Sequence, residues 1–539
     1  MSKGHLCLVL HAHLPYVRHP EYPYSLEEKW FFEAITECYL PLIGALNRLA
    51  DENIDFKITI SLSPSLLSML DDSYLQDEYL KYVERLLELA EKEVNRTRGD
   101  AAFHPLALMY QMQLGDIYHN FKDRYHKNLI TAFRELYFRG AVELITCTAT
   151  HGYLPLTGIN RESVYAQVKL GVDTFKEKLG FPPRGLWLAE CAYQPGDDEV
   201  MQENGIQYFF TDTHGVLYAC PRPAYGIYSP LLTQSGVAVF GRDPESSKQV
   251  WSADEGYPGD FDYRDFYRDI GFDLDFEYVK PYIHPDGIRV HTGLKYYRIT
   301  GKSDHKEPYN PEWANNKAQS HAGNFMFNRE KQFEYLQGAM DRPPVITVPY
   351  DAELFGHWWF EGPLFLEHFI RKASREQDLF CITSPVEYLK MDLPLQIATP
   401  CPSSWGDKGY HEVWLNGSND WIYRHLHRGA SRMVDLASRH PQADPLQARA
   451  LNQAARELLL AQSSDWPFIM TAGHMDEYAR SRVEEHMVRF NRLDRQICGG
   501  SIDEGWLRRL EEKDNIFPNL DYHVFTPLEQ TVPVEEKIH

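Results

Sequence analysis

The stretch from Val345 to Trp359 constrains the fold more than any other part of this sequence. It begins as an apolar, β-branched run and then delivers Asp351, Glu353, a glycine, a histidine and two tryptophans. A short apolar run of this kind is typical of a buried parallel strand. Acids can move protons or attack an anomeric carbon, and aromatic rings can stack on sugar faces. The pattern therefore indicates a carbohydrate-processing site at the end of a strand.

Similar apolar runs recur along the chain. They lie at 6–10, 56–62, 142–146, 185–188, 208–211, 237–240 and 379–382, and longer helical or irregular segments separate them. Strands that alternate with such segments predict an α/β fold with a parallel sheet. At least five of the runs end in polar residues. Parallel α/β barrels place their functional groups at the carboxyl ends of strands, so these residues are candidates for one common site.

Helical patterns define the remaining parts of the chain. The charged, helical stretch at 71–140 predicts an insertion between two strands of a catalytic part at 1–70 and 141–420. Asp444 and Pro445 are typical of a helix start, and a C-terminal helical domain is predicted at 421–520. A loosely held tail is expected at 521–539. The long stretches at 213–236 and 251–325 are expected to be lids, binding loops or ordered covering structure.

The charge and cysteine content exclude several kinds of protein. The formal net charge of −22 argues against binding to nucleic acid or to anionic membranes, but it would not repel a neutral glucan. The eight cysteines contain no C-x-x-C pair, which is typical of a reducing compartment. No apolar run suits a signal peptide or approaches the ~20 residues of a membrane span. We expect a cytoplasmic enzyme without a cofactor, either a monomer or a weak homo-oligomer.

Glu190 and Asp351 are the strongest candidates for catalysis. Each follows a strand-like run directly, so each should project into the mouth of a barrel. Two carboxylates ~5–5.5 Å apart can cleave a glycosidic bond with retention, one as nucleophile and the other as general acid and base. Either acid could instead cap a helix. Glu353, two residues beyond Asp351, is a rival for the second role.

His11 and His13 admit a metal-site interpretation. An H-x-H pair can bind a metal, and metal-bound histidines in a barrel would suggest a deacetylase. The early Asp pair and the H-x-x-x-H ligands that this chemistry would also need are not evident, so no metal is expected. Binding of substrate hydroxyls suits the histidines better. Trp405 and Trp414, in a polar loop, are candidate sugar platforms, and Asp465 could reach the same cleft.

Taken together, these segments resemble glycoside hydrolase family 57 and, within it, the glucan-branching subgroup. The resemblance rests on motifs that occur in the family's order: HAHLP at 11–15, HGY at 151–153, WLAECAY at 187–193, YDAELFGHWW at 350–359 and the loop at 405–414. It covers roughly residues 1 to 425, and the helical region with SDWP at 464–467 also looks like the subgroup's C-terminal domain.

The resemblance implies a distorted, TIM-like (β/α)7 barrel with a helical insertion and a C-terminal α-helical domain. It implies that Glu190 is the nucleophile and Asp351 the general acid/base. The subgroup often carries Trp where this chain has Phe272. It also has a mobile loop with a Tyr at its tip that is thought to favour transfer over hydrolysis, and Tyr225 and Tyr228 are both candidates for that tyrosine here. The expected substrate-binding residues are His11, His13, His151, Trp187, Tyr225, Tyr228, Phe272, Trp358, Trp359, Trp405, Trp414 and Asp465.

The resemblance implies a 1,4-α-glucan branching activity on amylose, glycogen or maltooligosaccharide. In that reaction an α-1,4 linkage is cleaved and an α-1,6 branch is formed through a covalent glycosyl-enzyme. A 4-α-glucanotransferase or an α-amylase on the same scaffold is the alternative. A non-catalytic glucan-binding protein is a further alternative, against which the intact acids argue.

Overall fold

The computed structural model describes residues 4–251 and 256–527. Within these residues the strands, which we number in chain order, are β1 Gly4–Ala12, β2 Ile58–Leu62, β3 Val142–Cys147, β4 Gly185–Trp187, β5 Tyr208–Thr211, β6 Leu231–Leu232, β7 Ala238–Gly241, β8 Val345–Asp351, β9 Phe380–Ile382 and β10 Gln396–Ile397.

The main sheet of the described chain is a closed barrel of seven parallel strands. Its order is β7-β5-β4-β3-β2-β1-β8, and a parallel bridge between Arg242, just after β7, and Thr347 in β8 closes it. The strands are almost entirely buried because side chains fill the inside and helices cover the outside. This confirms the predicted (β/α)7 barrel.

Three short strands lie outside this ring. β6 pairs antiparallel with β7, and β10 pairs with β6. β9, the expected last strand, pairs with the first half of β1 at the amino end of the barrel. It therefore contributes nothing to the carboxyl rim, where the candidate acids lie.

Helices surround the barrel and form the region after it. The α-helices of eight or more residues in the described chain are Leu26–Glu33, Leu40–Asp51, Ser73–Thr97, His104–His119, Leu129–Phe138, Arg161–Leu179, Pro244–Trp251, Pro311–Ala339, Gly362–Arg375, Tyr423–Arg439, Pro445–Ala461, Asp465–Ala472, Asp476–Gly499 and Glu504–Lys513. The shorter ones are Pro64–Leu70, Leu154–Thr157, Asp197–Glu203, Thr213–Leu217, Ile270–Asp273, Phe276–Val279 and Pro385–Leu389. None of the described helices is both long and apolar enough to cross a bilayer.

The first long helix between β2 and β3, Ser73–Thr97, shows why this region is helical. The Asp72 carboxylate accepts the backbone N–H of Leu75 and so caps the helix start. Tyr79, Val83 and Leu86 recur at helical spacing and are buried. The helix therefore packs one apolar stripe against neighbouring helices, chiefly His104–His119, and leaves its charged face in water.

The C-terminal helices are anchored to the barrel. Asp444 accepts the backbone N–H groups of Leu446 and Gln447 and starts Pro445–Ala461, as its sequence predicts. A bridge between Gly152 and Ser463 joins the loop after β3 to the segment that follows this helix. The tips of the C-terminal helices therefore reach the barrel mouth.

The prediction of a loose tail is wrong for residues 521–527. Tyr522 and Phe525 are buried in a 3₁₀ turn, and the Tyr522 hydroxyl donates to the His440 carbonyl. Two aromatic side chains in a polar stretch are enough apolar surface to hold it against the helices. The rest of the predicted tail, 528–539, lies outside the described residues.

Residues 256–310, which we call the covering segment, lie over the barrel mouth with little regular structure. The buried Asp269 carboxylate organises part of it by accepting the backbone N–H groups of Gly271, Thr292 and Gly293. A carboxylate that replaces missing backbone partners lets an irregular segment be buried. Tyr263 and Leu294 are its apolar anchors.

Candidate active site

A cavity of about 1200 Å³ opens at the carboxyl ends of the barrel strands. It exceeds the usual ~300–1,000 Å³ of small-molecule pockets, so it suits an extended ligand. The barrel, the covering segment and the C-terminal region all line it. The predicted site residues that line it are His11, His13, His151, Glu190, Asp351, Trp358, Trp359, Trp405, Trp414 and Asp465.

Glu190 lies in a tight turn directly after β4. Its backbone is left-handed, at φ 62° and ψ 23°, which is uncommon for a residue other than glycine and is often found at functional sites. The Trp405 indole N–H donates to its Oε2 at 2.9 Å, and the Ser464 hydroxyl donates to its Oε1 at 2.9 Å. Burial raises the pKa of Glu190 to about 7, against the lowering effect of these two donors.

Asp351 ends β8 opposite His11 in the register of β1. Burial raises its pKa well above the usual range, and the carboxylates of Glu353 and Glu190 raise it further. Arg242 acts in the opposite direction. Neighbouring acids and burial both favour the protonated form, so Asp351 is the acid of the pair that is suited to hold a proton.

Glu353, the rival acid, also lines the cavity, but its carboxylate is already engaged. The Tyr39 hydroxyl donates to its Oε1 at 2.5 Å, and the His13 backbone N–H donates to the same oxygen at 3.2 Å. Burial raises its pKa, against the effect of Tyr39. These donors tie Glu353 to the barrel wall beneath His13.

The three predicted histidines lie together at the bottom of the cavity, with the His13 ring stacked on that of His151 and His11 edge to edge with His151. The ring centroids of His13 and His151 are 3.7 Å apart and those of His11 and His151 are 5.1 Å apart. His13 Nε2 bonds Asp465 at 3.1 Å. Burial acts to raise the pKa of Asp465, but His13, His151 and Ser463 together outweigh it and lower the pKa to about 2.

Trp187 does not line the cavity, contrary to the sequence prediction. It is fully buried as the last residue of β4, and its ring stacks under His11 with centroids 4.8 Å apart. The side chain points into the barrel interior because strand residues alternate between faces. Trp187 therefore supports the His11 ring and cannot present its own ring face to a sugar.

Tyr225, Tyr228 and Phe272 also lie outside the cavity lining. Tyr225 donates to Asp341 at 2.6 Å on the surface, and Tyr228 is packed beside Gln332, whose amide donates to it at 3.3 Å. The 221–228 stretch turns away from the rim because Tyr228 pairs through its carbonyl with the start of β8. Neither tyrosine is at a lid tip here. Phe272 is 46% exposed and contacts the His291 ring, with centroids 5.0 Å apart.

The predicted tryptophans that reach the cavity differ in exposure. Trp358 is 56% exposed and stacks on Phe266 of the covering segment, with centroids 4.6 Å apart. Trp414 and Trp359 are nearly fully buried, and Trp414 stacks on Tyr153. Trp358 thus offers an open ring face, whereas Trp414 and Trp359 mainly shape the wall.

Several lining residues were not predicted. Arg242, after β7, lies over the Trp405 ring at 5.4 Å and faces Asp351. Because Arg242 follows a predicted strand closely, the sequence could have identified it as a site residue. The covering segment adds residues that no pattern singled out because it lacks a repeat; these include Phe261, Arg264, Asp265, Phe266, Tyr267, Arg268, Lys302 and Lys306.

A metal site requires several ligand atoms close to one another, and one such cluster lies in the cavity. Among the described residues, donor atoms of His13, His151 and Asp465 lie within 4.8 Å of one another. The His13 and His151 rings are stacked nearly parallel, at 13°, and the Asp465 carboxylate is already bonded to His13. Stacked rings present their nitrogens side by side and not toward a tetrahedral centre.

The comparisons with known proteins agree with this arrangement. The model for "Glycosyl hydrolase family 57" matches residues 7–399, and that for "1,4-alpha-glucan branching enzyme, C-terminal" matches 425–525. A 1,4-α-glucan branching enzyme of Thermococcus kodakarensis is 34% identical, covering 96% of this chain and 77% of its own.

Two solved structures share the whole fold. An α-amylase of Thermotoga maritima is 45% identical with a TM-score of 0.92, covering 98% of this chain and 100% of its own. A branching enzyme of Pyrococcus horikoshii is 34% identical with a TM-score of 0.88, covering 98% of each chain. Together with the strand-end acids and the closed seven-stranded barrel, these matches show that the chain belongs to glycosyl hydrolase family 57.

Proposed function

We propose that this chain is a 1,4-α-glucan branching enzyme that works by retaining transglycosylation. The observation that carries the proposal is the delivery of Ser464 and Asp465 into the active site by the C-terminal helical region. That region matches the C-terminal model of branching enzymes. A relative identical at 34% over nearly the whole chain carries the same activity in its name.

In the proposed mechanism Glu190 attacks the anomeric carbon of an α-1,4 linkage while Asp351 protonates the departing chain. The glycosyl ester on Glu190 is then attacked by a glucose 6-hydroxyl, whose proton returns to Asp351. The opposite environments of the two acids support these roles. Glu190 faces two hydrogen-bond donors, which favour its charge, and Asp351 faces acids, which favour its proton.

The substrate, partners and location follow from the same proposal. A neutral α-glucan can enter a cavity with an open Trp358 face. The net charge of −22 and the absence of any disulfide among the eight cysteines, all within the described residues, support a cytoplasmic enzyme without a nucleic-acid or membrane partner. We propose a monomer or weak homo-oligomer. The boundaries at 70/71, 140/141 and 420/421 are retained as proposed domain limits.

Hydrolysis is the second candidate function, and one feature of the structure favours it. Neither of the two predicted loop tyrosines, Tyr225 and Tyr228, lines the cavity, so neither is placed to protect transfer. The Thermotoga maritima relative is called an α-amylase. A 4-α-glucanotransferase shares the first half of the mechanism and differs only in the acceptor hydroxyl.

The experiment that separates these functions is a product analysis on pure linear amylose. Branching predicts α-1,6 anomeric protons in the NMR spectrum, with few new reducing ends, and shorter chains after enzymatic debranching. An amylase would raise reducing ends without α-1,6 linkages. A glucanotransferase would redistribute chain lengths with neither change, and a glucan-binding protein would leave amylose intact. Glu190→Gln is the matched inactive control.

A further inference from the structure

The side chain of Ser464 is the last link in an unbroken row of hydrogen bonds. Ser61 Oγ lies 3.1 Å from His11 Nδ1, and His11 Nε2 lies 3.0 Å from His151 Nε2. His151 Nδ1 lies 2.7 Å from Ser464 Oγ, which donates to Glu190 Oε1. Ser61, His11, His151 and Ser464 are all nearly fully buried, so water does not compete for these bonds.

The Glu190 carboxylate at the end of this row determines which atom donates in each of its hydrogen bonds. An ionised carboxylate only accepts, so the Ser464 hydrogen points to Glu190 and its oxygen must accept from His151 Nδ1–H. A neutral His151 then has a lone pair on Nε2, which requires His11 to carry its hydrogen on Nε2. His11 Nδ1 is left as an acceptor. Burial lowers the pKa of both histidines well below 6.5, consistent with two neutral rings.

The first hydrogen of the row comes from Ser61. The Thr146 carbonyl competes for this hydroxyl only at 3.5 Å, whereas His11 Nδ1 lies at 3.1 Å. Reversing the row would require a proton on Glu190 Oε1 and the shift of every hydrogen along it. Since the Trp405 N–H faces Oε2 and is a donor only, both oxygens of Glu190 are met by donors.

We propose that Ser464 is a positioning residue for Glu190, and that the row from Ser61 through His11 and His151 fixes its hydroxyl as a donor, which holds the nucleophile aligned and charged. This proposal rests on the proposed role of Glu190. It gives the C-terminal region a specific part in the chemistry, because the Ser464 backbone N–H also donates to the His151 carbonyl at 2.9 Å and fixes the two loops together.

Strained backbone at both partners supports this role. Glu190 and His151 have φ values of 62° and 57°, in the left-handed region that residues other than glycine rarely adopt. Such strain persists where surrounding contacts impose it, and it is common at functional sites. The other titratable groups facing Glu190 are Asp351 from β8, Asp465 from the C-terminal region, His13 from the loop after β1, Cys147 and Tyr153 from β3 and the loop after it, and the adjacent Cys191.

The first test is a neutron crystal structure of the ligand-free, deuterium-exchanged protein at about pD 9, because Glu190, with its pKa raised to about 7, is then ionised. The row predicts deuterium on Ser464 Oγ pointing to Glu190, on His151 Nδ1 and on His11 Nε2, with none on Glu190. Deuterium on His151 Nε2, or Ser464 pointing to His151, would overturn the proposal. This readout does not depend on any activity of the protein.

The second test compares three variants by their kcat/KM pH profiles on amylose. Ser464→Ala should lower kcat/KM roughly ten- to hundredfold through kcat, because a hydrogen bond to a charged group is lost. The acid limb of its pH profile, where kcat/KM falls as Glu190 is protonated, should move to higher pH by about one unit. Ser464→Thr, which keeps a hydroxyl, should restore much of both. Ser431→Ala is the control. It removes a different hydrogen bond between the C-terminal region and the barrel, the one from the Asn160 amide, and it should change neither kcat/KM nor the acid limb.

The outcomes separate the two proposals. An unshifted acid limb in Ser464→Ala, with Glu190→Gln inactive, would overturn the role of Ser464 and leave the proposed function intact. Full activity in Glu190→Gln would overturn the nucleophile assignment and with it this role of Ser464. A shifted limb together with an inactive Glu190→Gln supports both.

Discussion

The two sides of the barrel mouth surround a carboxylate with opposite kinds of neighbour, hydrogen-bond donors on one side and other acids on the other. On the β4 side, Glu190 receives one N–H and one O–H donor. On the β8 side, no donor among residues 4–251 and 256–527 bonds to the Asp351 side chain, and Glu353 and Glu190 are its main electrostatic neighbours. Neighbours, and not residue type, therefore suit the first of these two buried acids to the proposed role of nucleophile and the second to that of general acid.

Removing the acid on the β8 side should have the largest effect. Asp351→Asn should lower kcat/KM on amylose by about a thousandfold, within the range for loss of a general acid and base. Formation of the glycosyl-enzyme from an α-maltosyl fluoride should survive, since fluoride leaves without a proton. Burst and steady-state fluoride release would measure both steps. Equal losses on amylose and on the fluoride in the first step would contradict the assignment.

The pH profile of the wild-type protein tests the same division. Glu190 must be ionised and its pKa is raised to about 7, so kcat/KM should fall as the pH decreases through about 7. Asp351 must be protonated at first, and burial and its acidic neighbours raise its pKa. Activity should therefore also fall as the pH rises above that second pKa. A kcat/KM that stays constant from pH 5 to 9 would contradict the proposed roles of both acids.

Trp405→Phe tests the β4 side by removing the indole N–H that bonds Glu190 while keeping an aromatic ring beside Arg242. The loss of an N–H that bonds a charged oxygen should lower kcat/KM by about tenfold or more. Because this bond lowers the pKa of Glu190, the acid limb should move to higher pH. Trp414→Phe is a matched control, since its indole N–H has no partner among the described residues; its acid limb should stay in place.

The smallest effect is expected outside the cavity. Tyr225→Phe removes only a surface hydrogen bond to Asp341, so the ratio of transfer to hydrolysis should stay within about twofold of the wild-type value. Counting α-1,6 linkages against new reducing ends measures that ratio. A large rise in hydrolysis would show that Tyr225 reaches the substrate and would restore the prediction of a lid-tip role.

Sequence reasoning succeeded where local pattern decides position. Glu190 and Asp351 directly follow apolar runs, and a parallel barrel brings all such strand ends to one rim. The fold was predictable for the same reason. It failed for Trp187, which was predicted as a sugar contact, because a strand's last residue can point inward as easily as to the rim.

Long-range contacts were the part that pattern could not reveal. Ser464 meets Glu190 across 274 residues of chain, and no spacing rule encodes that contact. The direction of the 221–228 stretch depends on the pairing of Tyr228 with Val345. The contribution of the covering segment depends on how Asp269 folds it. These features come from tertiary packing, which a single sequence does not display.

The most direct test of the central claim is to identify the residue that carries the sugar. Asp351→Asn should be incubated with an α-maltosyl fluoride, digested, and its peptides analysed by tandem mass spectrometry. We expect a maltosyl ester on Glu190, which persists because the base that would activate the acceptor is missing. An ester on Glu353, or release of fluoride without any labelled carboxylate, would contradict it.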